Sequence, residues 1–227
     1  MLKKFVLTAI LGSIAYAGAV LTNNPAWNGT DTANSFGTGT GTPTYGETIT
    51  VPIDGNDVLT NFVFQIESAP QHIPIVAYVQ AWNGTETTGS PLFSSVPETT
   101  FTGTGFAGYN FNVLNLALTP GAQYILYVST LGQSFGIGAD TSFGATLTDT
   151  YSGGGFFFNN VDQSHTAGGS IADLNTNSWG NVGGIDLAFS ATFIQGASSG
   201  APEPSSIVLM ITGLAALAWG RRRRSLH

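Results

Sequence analysis

Apolar and polar residues alternate along the middle of the chain, in short runs separated by turn residues. A period of two is typical of β-strands that bury one face. The glycine-containing turns Asp54-Gly55-Asn56 and Thr119-Pro120-Gly121 interrupt these runs. Three sets of residues show the alternation most clearly, each on one face: Phe62, Phe64 and Ile66; Tyr124, Leu126 and Val128; and Leu187, Phe189, Ala191 and Phe193.

The pattern predicts nine strands and no helix within the main domain. They are expected at residues 48–53, 58–67, 73–81, 92–95, 109–118, 123–130, 135–137, 156–159 and 185–194. The predicted fold is therefore all-β, a single jelly-roll-like β-sandwich over residues 47–195. Residues 18–46, rich in Gly and Thr, are expected to be extended or loop, and residues 196–201 to be a flexible linker. No convincing internal repeat is expected.

The N-terminus has the three parts of a secretory signal peptide. Lys3 and Lys4 precede an apolar run at residues 5–14, and Ala15-Tyr16-Ala17 fits the small-x-small cleavage rule. Cleavage after Ala17-Gly18-Ala19 is the competing site, and a permanent transmembrane helix is the other alternative, for which the run is short. Residues 1–17 are therefore predicted to be a signal peptide, handled by the Sec translocon and signal peptidase.

The C-terminus, residues 202–227, has a second ordered set of features. Pro202, Glu203 and Pro204 precede an apolar span at residues 205–220, which is followed by Arg221, Arg222, Arg223 and Arg224. Fifteen helical residues span roughly 22 Å, less than a bilayer core, so a short transmembrane helix would need local thinning and arginine snorkelling. An ordinary single-pass anchor and a core helix are the alternatives, and four adjacent arginines oppose burial in a core.

These C-terminal residues resemble the PEP-CTERM sorting signal of Gram-negative bacteria. The resemblance implies recognition by an exosortase, a membrane cysteine peptidase-transpeptidase. It also implies removal of the tail near residues 202–204 and release or attachment of the rest at the cell surface. Ser225-Leu226-His227 departs from the many members that end on the basic cluster. Residues 46–194 also resemble a functionally uncharacterised module of PEP-CTERM proteins, which implies no active site.

The charges are distributed unevenly along the chain. All six basic residues lie at the two ends, so residues 18–201 contain 12 of the 13 acids and no Lys or Arg. Such a segment cannot neutralise phosphates, which excludes nucleic acid and anionic lipid as its partners. The chain has no cysteine and therefore no disulfides.

No catalytic residue set is predicted. The sequence has no Ser-His-Asp signature, no HExxH and no glycine-rich phosphate loop, and His72 and His165 have no ligand spacing. Twelve acids must place some pair of carboxylates close together, and solvated turn acids account for most of them. The chain is accordingly expected not to be an enzyme, with no cofactor other than a candidate Ca²⁺.

Two weaker candidate sites remain. Asp54, Asn56 and Asp57 place three oxygen-bearing side chains in one turn, a weak calcium candidate without EF-hand spacing, and a metal-free hairpin explains it equally. Trp82 and Trp179 are candidate glycan contacts, with core packing as the alternative. Asn28-Gly29-Thr30 and Asn83-Gly84-Thr85 match the N-glycosylation pattern and are equally turns.

Together these features predict an exported surface or extracellular-matrix protein of a Gram-negative bacterium. It would be an inner-membrane-anchored precursor until an exosortase processes it, and would then associate with exopolysaccharide or biofilm without catalysis. The alternative is a carbohydrate-binding jelly-roll module, assisted by calcium in one version. A third hypothesis is a secreted glycan-active enzyme.

Overall fold

The computed structural model describes residues 18–37, 42–69, 71–133, 139–162 and 169–196. All of them belong to one compact unit, Met1–Gly196, and a second unit, Ala197–His227, lies outside the described residues. The predicted strand at residues 135–137 also falls outside them.

Within the described ranges the chain forms fourteen strands and two short 3-10 helices. The helices are Asn24–Ala26 and Ile171–Asn175. The strands are β1 (Ala19–Thr22), β2 (Thr32–Gly37), β3 (Thr44–Thr50), β4 (Val58–Glu67), β5 (Pro74–Trp82), β6 (Thr87–Ser94), β7 (Glu98–Thr99), β8 (Phe106–Ala117), β9 (Gln123–Ser129), β10 (Asp140–Thr146), β11 (Phe156–Asn159), β12 (Gly180–Asn181), β13 (Asp186–Leu187) and β14 (Phe189–Ile194).

The strands form two seven-stranded antiparallel sheets, which confirms the all-β sandwich. The first sheet has the order β1-β14-β4-β10-β13, with β2 beside β10 and β8 beside β4. The second sheet has the order β12-β11-β3-β9-β5-β6, with β7 beside β5. Most neighbouring strands are distant in sequence, whereas β5 and β6 form a hairpin closed at Trp82 and Thr87.

The main core lies between the sheets and is rich in phenylalanine. Phe62, Phe64 and Ile66 of β4 are fully buried there, as the alternation predicts. They meet Phe111 and Phe143, and the rings contact one another edge-on or tilted at centroid distances of 5.2 to 5.8 Å. Such contacts add to the free energy of burial.

A second, smaller apolar cluster covers the outer face of the second sheet. We call it the outer cluster. The 3-10 helix Ile171–Asn175 contributes Leu174 to it, and because the cluster lies over β9, both faces of that strand are buried. Its buried members are Val76, Tyr78, Trp82, Ile125, Tyr127, Leu131, Leu174 and Trp179.

Residues 18–46, expected to precede the sandwich as extended chain or loop, contribute strands to both sheets. β1 pairs with β14, β2 pairs with β10, and β3 pairs with β9 and β11. Few of these residues are apolar, and Phe36 supplies one fully buried ring. These strands are therefore held by backbone pairing and by a few inward-facing side chains, so the local composition alone does not reveal them.

The chain contains a seven-residue repeat, so the expectation of no repeat was wrong. Ala26-Trp27-Asn28-Gly29-Thr30-Asp31-Thr32 recurs as Ala81-Trp82-Asn83-Gly84-Thr85-Glu86-Thr87. In each copy the asparagine Oδ1 accepts hydrogen bonds from the threonine N–H at 2.9 Å and from the following acidic residue's N–H at 2.9 Å. The glycine has φ of +83° or +106°, which favours glycine in both turns.

Candidate functional site

The predicted processing residues lie outside the described part of the chain. They are Ala15 and Ala17 at the signal cleavage site, Pro202, Glu203 and Pro204 in the sorting motif, and Arg221, Arg222, Arg223 and Arg224. Among the described residues, no helix has the length and apolar character needed to cross a membrane.

The two ends of the described domain lie side by side. β1 runs antiparallel to β14, so that Ala19 pairs with Phe193. A Cβ added to Gly18 would lie 2.5 Å from the Phe193 carbonyl oxygen, which shows how closely the first residue approaches the last strand. The chain therefore enters and leaves the domain at one end of the first sheet.

The calcium candidate turn is occupied by internal hydrogen bonds. Asp54 Oδ1 accepts the Asn56 N–H at 3.0 Å, and this bond lowers the Asp54 pKa. Asp57 Oδ1 accepts the N–H of Gly196, also at 3.0 Å. Within the described ranges, no three His, Asp or Glu side chains are grouped closely enough to share a metal ion. Calcium binding at this turn stays a prediction.

The structure buries both tryptophans proposed as glycan contacts. Trp82 is 8% exposed and Trp179 is 7% exposed, and their rings meet edge-on at 5.6 Å. The Trp179 Nε1–H donates to the Leu174 carbonyl at 3.0 Å. Neither ring forms an exposed stacking platform, because the outer cluster uses both to cover the second sheet.

Trp82 nevertheless lies in the wall of a cleft of about 260 Å³ on the second sheet, which we call the Trp82 cleft. Phe157 beside it is half-buried, with its ring centroid 4.7 Å from that of Trp82. The lining residues are Thr48, Thr50, Trp82, Gly84, Gln123, Ser152, Gly153, Gly154, Gly155, Phe157 and Asn181.

One wall of the Trp82 cleft is a glycine loop held against β3. Thr50 Oγ1 donates to the Gly153 carbonyl at 2.7 Å, and the Gly155 N–H donates to Thr48 Oγ1 at 2.9 Å. A Cβ added to Gly154 would lie 1.6 Å from the Thr48 carbonyl oxygen, so only glycine permits this approach. A Cβ added to Gly155 would meet nothing within 4 Å. The loop is thus fixed, and one of its positions faces open space.

A second cleft, of about 360 Å³, lies between β6 and the 3-10 helix Ile171–Asn175. Gln80 Nε2 donates to Asn175 Oδ1 at 2.8 Å and to the Gly89 carbonyl at 2.6 Å, which joins the helix to β6. Tyr127 Oη donates to Gln80 Oε1 at 2.8 Å and extends this network into the outer cluster. Neither cleft is lined by an Asp or Glu residue.

Two carboxyl groups are buried in the sandwich instead. Glu47 on β3 is fully buried, and its Oε2 accepts the Leu187 N–H at 2.9 Å, while its Oε1 has no hydrogen-bond partner among the described residues. Burial raises the Glu47 pKa well above its ordinary value, and the nearby carboxylates of Asp186 and Asp149 raise it further. Burial therefore favours the neutral form of the Glu47 carboxyl group.

Asp186, the other buried acid, is 1% exposed and accepts several hydrogen bonds through Oδ2. The N–H groups of Thr150 and Tyr151 donate to it at 2.7 and 2.9 Å. These bonds tie the loop after β10 to β13. Glu47 and Asp186 are thus both buried in the sandwich, and each accepts main-chain N–H groups from neighbouring segments.

Sequence reasoning missed Phe157 and the buried acids. In the run Phe156-Phe157-Phe158 the first and third rings join the main core, and Phe157 packs against the outer cluster. Because side chains alternate between the two faces of a strand, the sequence of β11 is sufficient to indicate that Phe157 faces away from the main core. No local signal distinguishes Glu47 from a surface acid, because its burial comes from strands distant in sequence.

Comparison with known proteins supports the sorting signal. Residues 201–224 match the PEP-CTERM protein-sorting motif. The match supports an exported, membrane-anchored precursor and implies processing by an exosortase. The search of curated proteins finds no match to this chain.

Proposed function

We propose that this chain is a non-enzymatic surface or extracellular-matrix component, sorted by an exosortase and associated with extracellular polysaccharide in a biofilm. The match of residues 201–224 to the sorting motif is the observation on which the proposal depends. The arginine cluster at residues 221–224 would keep the C-terminus in the cytoplasm, with the domain outside.

The position of the domain ends supports two processing steps at one place. Gly18, the expected mature N-terminus, lies against Phe193, and Gly196 lies two residues after the end of β14. The first and last described residues, Gly18 and Gly196, therefore lie at the same end of the first sheet. Processing by signal peptidase and by the exosortase would leave the opposite end and both outer faces untouched.

The charge of the mature domain supports a matrix location over binding to nucleic acid. Residues 18–201 carry 12 acids and no Lys or Arg, a formal charge of −12 before protonation of Glu47 is considered. The two clefts described above contain no acidic side chain. Glycosidases of the common type place two carboxylates across a cleft, so these linings favour a non-catalytic role.

Cell fractionation tests the proposed association. The protein would be quantified in washed cells, culture medium and extracted matrix, in the host strain and in a strain that makes no exopolysaccharide. We expect it in the matrix fraction of the first strain and in the medium of the second. Equal distribution in both strains would contradict the association with polysaccharide.

A second candidate function is carbohydrate binding by the domain itself, favoured by the Trp82 cleft with its aromatic and amide side chains. In one version of this candidate function, calcium bound by Asp54, Asn56 and Asp57 would assist glycan binding. Chelation with EDTA would weaken glycan binding if calcium takes part, and would leave it unchanged if the turn acts without metal.

A further inference from the structure

We propose that the Trp82 cleft binds a neutral, hydroxyl-rich sugar segment of a polysaccharide. This inference rests on the proposed association with extracellular polysaccharide and adds the site and the ligand class. The cleft lies on the outer face of the second sheet, bounded by β3, the turn at Gly84 and the loop at residues 152–155.

The lining of the cleft selects against charged ligands. Its polar side chains are hydroxyls and amides, among them Thr50, Gln123 and Asn181, and none carries a charge. An amino sugar would require a carboxylate, and a uronic acid would require a cation or a set of directed N–H groups. The strongly acidic domain also repels polyanions over the Debye length. A neutral sugar meets neither obstacle.

The lining of the cleft is mainly polar, and the more exposed of its two aromatic residues is Phe157. The Phe157 ring is half-buried, whereas Trp82 is 8% exposed and only a small part of its ring is accessible. The Trp82 ring packs against the Phe157 ring in a tilted arrangement, at a ring-centroid distance of 4.7 Å. A sugar ring has an apolar face of C–H groups that packs on such a ring, while its hydroxyls remain at the rim.

Hydrogen-bonding groups are available beside that ring. The side chains of Gln123, Asn181 and Ser152 are exposed and make no hydrogen bond to the described part of the chain. Each amide offers both donors and an acceptor, which suits hydroxyl groups that also do both. The volume of about 260 Å³ lies just below the usual range for small-molecule pockets, so the cleft suits one or two sugar rings.

Contacts within the chain hold one wall of the cleft. The contact of Gly154 with the Thr48 backbone and the Thr50 hydrogen bond to Gly153 fix the glycine loop. Because this wall is already fixed, the protein loses little conformational entropy when it binds a sugar.

Affinity electrophoresis of the mature protein purified from the host surface tests the proposal. The gels contain a neutral polysaccharide (dextran, laminarin or mannan) or the acidic polysaccharide alginate. We expect retardation by at least one neutral polysaccharide and none by alginate. The variant Phe157→Ala should weaken retardation about tenfold.

Because Phe157→Ala removes a packed ring and could unfold the protein, Gly155→Phe is the second variant. It fills the cleft from a position where a Cβ meets nothing within 4 Å, so thermal stability should stay unchanged while retardation is lost. Thr102→Phe adds the same ring on an exposed loop outside the cleft and should keep wild-type retardation.

Three results would overturn the assignment of this cleft: no retardation by any neutral polysaccharide, equal retardation by alginate, or full retardation of folded Gly155→Phe. In each case the protein can still be found in the matrix fraction, which would leave the proposed function standing. Absence from the matrix fraction would overturn the proposed function, whatever the gels show.

Discussion

The main-chain N–H of Gly196 donates to Asp57 Oδ1 at 3.0 Å, so the side chain of one turn holds the residue at which the described domain ends. The same N–H also lies 3.3 Å from the Gly55 carbonyl. A Cβ on Gly196 would lie 2.3 Å from Asp57 Oδ1, so the approach depends on glycine. The turn that the sequence offered as a calcium site thus secures the end of β14.

Replacing Asp57 by Ala should release the end of β14. We expect a loss of about 1 kcal/mol in the free energy of unfolding, because one partly buried, charge-assisted hydrogen bond disappears. Amide hydrogen exchange at Gly196 should also become faster. Asp54→Ala is the matched control, since Asp54 bonds only within its own turn and not to Gly196. Unchanged exchange at Gly196 in Asp57→Ala would contradict this role.

Glu47 should make the protein less stable as the pH rises. Its pKa is raised in the folded protein, so above its ordinary value near 4.5 the folded state binds a proton that the unfolded state has released. The free energy of unfolding should therefore fall by roughly 1 kcal/mol for each pH unit above that value, until the folded pKa is reached.

Glu47→Gln isolates this effect, because glutamine keeps an acceptor for the Leu187 N–H and does not titrate. Urea unfolding at several pH values should show that the free energy of unfolding of the variant rises relative to that of the wild type from about pH 5 upward. Parallel curves for the two proteins would mean that Glu47 is ionised in the folded state.

The two copies of the repeat provide a paired test of turn stability. Asn28→Ala and Asn83→Ala each remove an Oδ1 that accepts two main-chain N–H groups, and each should cost about 1 kcal/mol. The costs should add in the double variant, because the two turns precede strands of different sheets. Asn→Asp at either position keeps the acceptor and should cost less. A neutral effect at one copy would show that the two turns are not equivalent.

Adjacent glycines in the Trp82 cleft should respond in opposite ways to the same change. Gly154→Ala places a methyl group 1.6 Å from the Thr48 carbonyl oxygen and should cost about 3 kcal/mol or more. Gly155→Ala meets open space and should be nearly neutral. Thermal unfolding of both variants measures the difference. Similar melting temperatures would mean that the loop does not lie against β3.

Strands with regular alternation could be predicted well from the sequence. The predicted strands at residues 58–67 and 156–159 coincide with Val58–Glu67 and Phe156–Asn159. β10 (Asp140–Thr146) was missed, since its sequence DTSFGAT has little apolar content and pairs only in the tertiary fold. The run at β9 contained a further signal, because an apolar stretch without polar interruption indicates burial of both faces.

The candidate site could be predicted less well from the sequence. Tryptophan content pointed to Trp82, whereas the more exposed ring is that of Phe157, and exposure depends on which segment covers the outer face. The 3-10 helix Ile171–Asn175 provides that cover and has no strong pattern of its own. The sorting motif could be recognised from the sequence because it is a linear feature of the chain, and the family match at residues 201–224 supports it. The signal peptide at residues 1–17 stays a prediction.

Sorting by an exosortase can be tested by measuring the intact mass and the cell fraction of the mature protein, from its host with and without the exosortase. We expect a polypeptide that begins near Gly18 and ends near residues 202–204, found at the surface or in the matrix only when the exosortase is present. A full-length C-terminal tail held in the membrane of both strains would contradict it and would identify a plain membrane-anchored protein.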